Sequence, residues 1–442
     1  MTLKSLIRPF IPALVFRAYH FALAASAAIF YGNPSSKMIV IGVTGTNGKS
    51  STVQFISQLL DYLGYKNGYT TTAGFSIAGQ QIENRMKMTM PGRFYLQRLL
   101  SDMQKAGCAY ALVETSSQGL DQYRHLGVNY DAALFTNLTP EHIEAHGGFD
   151  AYKRAKGKLF AHLTQLPEKV IDSKEIPKTI LVNDDDPHAD YFASFPSDRT
   201  IRFGWNSAES SRDRLVAHYH VNTASHTTFE VNGVPMQTSL RAAYQHKNIL
   251  AAIAAVYAYD IPLTEIAEAV EKLQPIPGRF ESVDLGQPFH VIVDYAYEPY
   301  ALEALYEAAK ILKPKRVIGV HGSAGGGRDI ARRVEIGKLA GEKEEIVFVT
   351  NEDPYDEDPR QIIEQVAEGA KLVGKVESKD LRLVTDRAEA IAQAIGEAQE
   401  GDLVLITGKG SEPVMAVANG KKIPWSDLQE AKNALHSLGY GA

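Results

Sequence analysis

The chain has 442 residues, long enough for two or three domains of about 100–200 residues each. Its 46 Lys and Arg stand against 52 Asp and Glu, a net charge of −6, which excludes nucleic-acid binding by bulk positive charge and leaves small polar ligands open. The single cysteine, Cys108, excludes an internal disulfide and fits a reducing cytoplasm.

In chain order, the stretch from Phe10 to Tyr31 comes first, reading FIPALVFRAYHFALAASAAIFY. Arg17 and His20 interrupt it, whereas a spanning helix needs about 20 mainly apolar residues with charges excluded. The expectation for residues 1–37 is an apolar helical segment that lies on protein or makes a peripheral contact with a membrane surface through residues 10–31. Asn33, Pro34, Ser35 and Ser36 break it before the next strand.

Residues 40–52 read VIGVTGTNGKSST: an apolar strand, a glycine-rich turn and a helix start. Such a turn aims backbone N–H groups at phosphate oxygens, so Gly45, Thr46, Asn47, Gly48, Lys49, Ser50 and Ser51 are candidates to hold ATP. Lys49 adds a mobile cation and the Ser50 hydroxyl a Mg²⁺ ligand. Five residues separate Gly42 from Gly48 where the usual consensus has four, so the loop is a variant.

Short apolar runs then alternate with helical stretches. Ala109–Val113, Ala132–Phe135 and Thr179–Val182 predict strands, each followed by polar residues at the end where open α/β sheets bind their ligands. Those ends carry Glu114 to Ser117, Thr136 to His142, and Asn183 to Asp186. The pattern predicts an α/β fold: a P-loop-containing central ATPase domain at residues 38–279 with a mainly parallel sheet. A C-terminal doubly wound, Rossmann-like α/β domain follows at 280–442, with strands at His290–Asp294, Arg316–Val320, Ile346–Thr350 and Asp402–Ile406. The Gly322 to Gly327 run lacks dinucleotide-binding spacing and a following acidic ribose partner.

A series of short motifs runs through both predicted domains: TGTNGKS at 44–50, ETSS at 114–117, FTNL at 135–138 with Glu141 and His142, and YKRAK at 152–156. PGRFE at 277–281, VDYA at 293–296 and GKG at 408–410 complete it. In order and variety they resemble the Mur ligase family, ATP-dependent amino-acid ligases of peptidoglycan precursor synthesis, and within it the tripeptide-synthetase branch. The uridine-nucleotide-binding domain usual at the family's N-terminus has no evident counterpart in the 37 residues before Met38. The expectation is therefore an acceptor gripped without its uridine.

The resemblance implies that a substrate carboxylate attacks the γ-phosphate of ATP and that an amine displaces phosphate from the resulting acyl phosphate. Charge building on the phosphoryl group calls for preplaced cations, and Lys49, Arg279 and Mg²⁺ are the candidates. By resemblance Ser50 and Glu114 hold one Mg²⁺, while His142 and Lys156 serve a second, Lys156 after carbamylation. Asn248 and Asp294 are implied for base and ribose, and Thr115, Ser116 and Asn137 for peptide or phosphate. The family often has Gly and Phe ahead of that asparagine and a His after Asp-Tyr-Ala, whereas this chain has Tyr244, Gln245 and Tyr297.

Diaminopimelate-adding relatives carry Asp-Asn-Pro-Arg where this chain has Glu352, Asp353, Pro354 and Tyr355. Tyr355 cannot supply the bidentate cation that meets a distal carboxylate, so the expected amine is lysine or another, with Asp353 and Tyr355 beside it and Glu412 anchoring a distal ammonium. The implied partners are small molecules, a muramyl peptide or analogue and an amino acid. Alternatives are a folylpolyglutamate-synthetase-like ligase and a nucleotide-binding subunit without catalysis; Glu114, His142 and Lys156 favour catalysis.

Overall fold

The apolar run ahead of the glycine-rich turn forms β1 (Ile39–Thr44), whose side chains are almost all buried, as a central parallel strand requires. The computed structural model describes residues 13–140, 146–205, 209–223, 225–327 and 330–441. They divide into two compact units: one takes the chain to residue 221 with 227–239 and 245–273, the other 222–226, 240–244 and 274 onward.

The first unit opens with α1 (Ala13–Phe30), and β1 leads into α2 (Lys49–Tyr62). The short strands β2 (Asn67–Thr70), β3 (Gly74–Ile77) and β4 (Gln80–Glu83) precede α3 (Arg93–Lys105), β5 (Tyr110–Glu114) and α4 (Ser117–Asp121). Next come β6 (Ala132–Phe135), α5 (Phe149–Leu163), β7 (Lys169–Ile171), β8 (Lys174–Ile176), β9 (Thr179–Asn183) and α6 (Ala189–Ala193). The unit closes with β10 (Arg199–Gly204), β11 (Arg214–Asn222), β12 (Thr227–Val231), β13 (Val234–Thr238), α7 (Ala243–Tyr257) and α8 (Leu263–Glu271).

One sheet runs β13-β12-β11-β10-β9-β6-β1-β5-β2-β3-β4. From β10 to β2 the pairings are parallel, with β1 between β6 and β5, so three strand ends open together beside the glycine-rich turn. At the opposite end Asp131, wholly buried, accepts from Val40 N at 2.8 Å and pairs with Lys169 at 2.5 Å and Lys178 at 2.9 Å. Burial pushes the Lys169 ammonium down to about 8, against the attraction of Asp131.

The second unit has β14 (Glu281–Ser282), β15 (His290–Asp294), α9 (Pro299–Ala309), β16 (Val317–His321), α10 (Ala331–Lys343), β17 (Ile346–Thr350) and α11 (Pro359–Leu372). After these come β18 (Leu381–Val384), α12 (Arg387–Glu397), β19 (Leu403–Thr407), β20 (Val414–Ala416), β21 (Lys422–Pro424) and α13 (Asp427–Ser437). Its sheet runs β14-β15-β19-β16-β17-β18, parallel from β15 onward. Period-two alternation feeds two cores: Ile292, Leu403, Leu405, Val347 and Val349 pack with α9, α10 and α11, and Val293, Val404, Ile406, Ile318 and Phe348 with α12 and α13. Arg387 and Asp427, both wholly buried, form a bidentate pair at 2.8 and 2.7 Å. Both sheets are thus mainly parallel α/β, the second doubly wound.

Candidate active site

The glycine-rich turn is clamped from the end of β6. Thr136 Oγ1 and Asn137 Nδ2 both donate to Asn47 O, at 2.8 and 3.0 Å, and Asn137 Oδ1 accepts from Asn47 N at 2.8 Å. Asn137 therefore fixes the loop that would meet phosphate. Gly48 has φ +80°, and a Cβ there would stand 2.1 Å from Asn248 Oδ1, so Asn248 on α7 lies against the loop and only glycine fits beneath it. Lys49, the first residue of α2, folds its ammonium back onto Thr46 O at 2.7 Å. Ser51 is buried in the same first turn.

Glu114, the buried last residue of β5, accepts from Ser50 Oγ at 2.6 Å and Thr72 N at 2.7 Å on one oxygen, and from Thr72 Oγ1 at 3.1 Å on the other. Sequence reasoning missed Thr72, which follows a short glycine-containing strand with no motif around it. Lys156, on α5 and buried, donates to Gly45 O at 2.6 Å, with its ammonium 4.4 Å from the centre of the Tyr152 ring. Tyr152 OH lies 3.2 Å from Thr46 Oγ1, so α5 supports the loop's first turn. His142 and Glu141 lie outside the described residues.

The ETSS motif divides its labour. Thr115 is wholly buried and donates to Val113 O at 3.0 Å, and Ser116 caps α4 by accepting from Gly119 N at 3.1 Å. Ser117 instead lies 3.1 Å from His146 Nε2, and His146 Nδ1 lies 2.8 Å from Asp121 Oδ2. Ser117 and Asp121 stand four residues apart on one helix face, a spacing visible in the sequence.

In the second unit two of the quoted motifs meet. A Cβ on Gly278, at φ +65°, would stand 2.1 Å from Ser411 N, so PGRFE packs backbone to backbone against the GKG segment. Arg279 stacks on Tyr295, 4.2 Å from the ring centre. Asp294 accepts from Phe280 N at 2.6 Å, Tyr244 OH at 2.7 Å and Ala296 N at 2.8 Å. Burial pushes the Asp294 carboxyl up from its ordinary value, against the opposing pull of Arg279 and those donors. Tyr244, a departure from the family pattern, thus holds the very carboxylate implied for ribose.

Lys409 is wholly buried and donates to Asp353 Oδ1 at 3.0 Å, Glu412 Oε2 at 2.6 Å and Val414 O at 2.8 Å. Glu412 also accepts from Tyr295 OH at 3.1 Å, so a substrate ammonium there would share it with Lys409. Burial and the Asp353 charge push the neighbouring Glu352 carboxyl up, against Arg387, Lys409 and Arg332. Tyr355, at φ +53°, has its ring against Gly326, and Arg360 is bonded to Glu364 at 3.0 Å.

The chemistry of the first unit's donors fits a nucleotide with its ion. Ser50 and Glu114 offer hard oxygens beside the loop, although among the described residues no three His, Cys, Asp or Glu side chains converge on a metal. Mg²⁺ ordinarily completes such a partial shell with water and substrate phosphates.

The sequence matches the family model of the Mur ligase middle domain over residues 43–256, and that of the Mur ligase glutamate ligase domain over 278–410. A similar protein is the UDP-N-acetylmuramyl-tripeptide synthetase of Roseiflexus sp. (strain RS-1), 36% identical over 435 residues, 98% of this chain and 85% of that one. Another is the UDP-N-acetylmuramoyl-L-alanyl-D-glutamate–2,6-diaminopimelate ligase of Geobacillus kaustophilus (strain HTA426), 34% identical over 423 residues, 95% of this chain and 83% of that one. A solved ligase of that second name aligns at TM-score 0.59 and 26% identity, over 91% of this chain and 79% of its own. Folylpolyglutamate synthase of Mycobacterium tuberculosis aligns at TM-score 0.66 over 89% of this chain and 93% of its own, at 16% identity a likeness of fold alone.

Proposed function

The chain belongs to the Mur ligase family, ATP-dependent amide-bond-forming ligases of peptidoglycan synthesis, and on that premise we propose its substrates and the roles of its residues. The acceptor is a muramyl peptide or close analogue, and the donor is an amino acid. The acceptor carboxylate attacks the γ-phosphorus of ATP, the bond to ADP breaks, and the amine displaces phosphate from the acyl phosphate with loss of a proton.

In that reaction the turn at Gly45 to Ser51 binds the phosphates, with Asn137 holding its backbone and Asn248 lying against Gly48. Lys49 leaves Thr46 O to follow the transferring phosphoryl group. Ser50 and Glu114 hold Mg²⁺, which when bound neutralises phosphate charge. Lys156 and His142 serve a second ion, Lys156 as a carbamate, which turns a cation into an acidic ligand. In the second unit Arg279 meets phosphate, Asp294 the ribose, and Asp353, Tyr355 and Glu412 the amine substrate. Thr115 and Ser116 shape the peptide end through α4, and Ser117 joins them.

The observation that carries this reading is the buried Glu114 carboxylate, bonded to Ser50 at the head of the phosphate loop and to neutral donors. A binding subunit has no need of it. Phosphate release measured with acceptor and amine each omitted tests the proposal: a ligase requires both for full turnover, and a rate independent of either sinks it. The reaction sits in the cytoplasm, which supplies ATP; among the described residues no helix is long and apolar enough to cross a membrane. The segment at residues 10–31 makes a peripheral membrane contact.

A further inference from the structure

Helix α1 is inside out for a helix at a protein–water boundary. Its inward face is small: Ala24, Ala27 and Ala28 are buried, and a Cβ on Gly127 would stand 2.8 Å from the Ala24 carbonyl oxygen, so the packing there is backbone against backbone. The bulk points outward. Val15, Tyr19, Phe21, Ile29 and Phe30 are between 56% and 75% exposed.

Residues 15, 18, 19, 22, 26, 29 and 30 fall on one helical stripe, all exposed and none charged. Phe94 of α3 extends it, exposed and with its ring centre 6.3 Å from that of Phe30. Beside it runs a groove of about 470 Å³ lined by Phe21, Ala25, Ile29, Asn33 and Leu166. Water is a poor solvent for such a face, so an occupant is implied.

Charge identifies the occupant. The first 37 residues contain Lys4, Arg8, Arg17 and Lys37 and no Asp or Glu, in a chain whose net charge is −6. A basic segment with a continuous aromatic and aliphatic face fits a surface that is anionic outside and apolar just beneath. The helix has 18 residues, enough to lie along such a surface.

We propose that the α1 stripe docks on the surface of an anionic lipid bilayer, with Tyr19, Ile29 and Phe30 at the boundary between headgroups and acyl chains. This names the partner of the contact segment and is independent of the ligase reading, since vesicle binding is measured without turnover.

The test is co-sedimentation of the full chain with vesicles of phosphatidylglycerol and phosphatidylcholine, against phosphatidylcholine alone. Binding is expected to be at least tenfold stronger to the anionic vesicles and to weaken several-fold in high salt. Tyr19→Ser/Ile29→Ser/Phe30→Ser should lower it at least tenfold and leave turnover on soluble substrates unchanged. Lys4→Glu/Arg8→Glu, which leaves the stripe intact, should lower it several-fold. No binding to anionic vesicles at low salt overturns the proposal, as does equal binding by the triple variant or by the charge variant. Concentration-dependent dimerisation abolished by the triple variant, without vesicle binding, overturns it in favour of a second copy of this chain.

Discussion

Replacing Glu114 by glutamine separates metal chemistry from architecture. One carboxylate oxygen accepts from Ser50 Oγ and Thr72 N, and the other from Thr72 Oγ1. A glutamine carbonyl oxygen can take the first pair. Its amide can then donate to Thr72 Oγ1, whose proton turns to Thr89 Oγ1, 2.9 Å away. Two hydrogen bonds change from charge-assisted, at roughly 1.5–3 kcal/mol each, to neutral, at roughly 0.5–1.5. The expected loss of stability for Glu114→Gln is about 2–3 kcal/mol. Glu114→Ala strands the part-buried Thr72 N–H and the buried Ser50 hydroxyl, at about 1–3 kcal/mol apiece, and should cost roughly 2–6. Turnover should fall about 10²–10³-fold in the glutamine variant, because a preorganised charge is gone, and half-saturating Mg²⁺ should rise. Thermal unfolding with phosphate release across a Mg²⁺ titration reads both quantities. Wild-type turnover and Mg²⁺ dependence in Glu114→Gln would refute the reasoning and leave Glu114 as a turn cap.

Gly48→Ala should weaken nucleotide binding at least tenfold by calorimetry, whereas Gly64→Ala, at a similar φ of +83° but with nothing within 4 Å, should cost only the backbone strain of ~1 kcal/mol. Lys156→Ala should abolish ligation with nucleotide affinity largely kept, and small carboxylates should restore part of the rate; labelled bicarbonate should give a carbamate carbon signal in the parent and none in the variant. Lysine should exceed diaminopimelate in kcat/KM, since Tyr355 stands in place of an arginine and Arg360 is tied to Glu364; efficient use of diaminopimelate counts against this. Arg387→Met leaves Asp427 buried without its cation and should lower stability by about 3–5 kcal/mol in chemical denaturation, far more than an exposed pair would.

The parallel strands were legible because burial on both faces demands apolar runs: β5, β6, β9, β15, β16, β17 and β19 fall within a residue of the stretches read from sequence. The short outer strands were not: β2, although buried, contains Gly68, and of the edge strands β4 is exposed throughout and β18 alternates Leu with Arg. The β12–β13 hairpin did carry a signal, since Asn232 and Gly233, both at positive φ, form its two-residue turn. Phosphate-loop residues were legible through their motif, whereas Thr72 and His146 enter by tertiary packing. The orientation of α1 was equally hidden, because a mainly apolar segment does not say which face is turned inward.

The two ends of the central sheet show why one carboxylate is structural and the other chemical. Asp131, at the ends where β6 and β9 begin, is met by two lysine ammoniums, so its charge is cancelled inside the protein. Glu114, at the end where β5 stops, is equally buried, yet among the described residues its partners are a hydroxyl, a backbone N–H and a second hydroxyl. Neutral donors orient a carboxylate without cancelling it, and an uncompensated buried charge is costly. A divalent cation brought in with the nucleotide removes that cost at the moment of binding. Replacing Thr72 by a lysine would supply the missing charge from the protein, make Glu114 resemble Asp131, and raise stability only by closing the site to its metal.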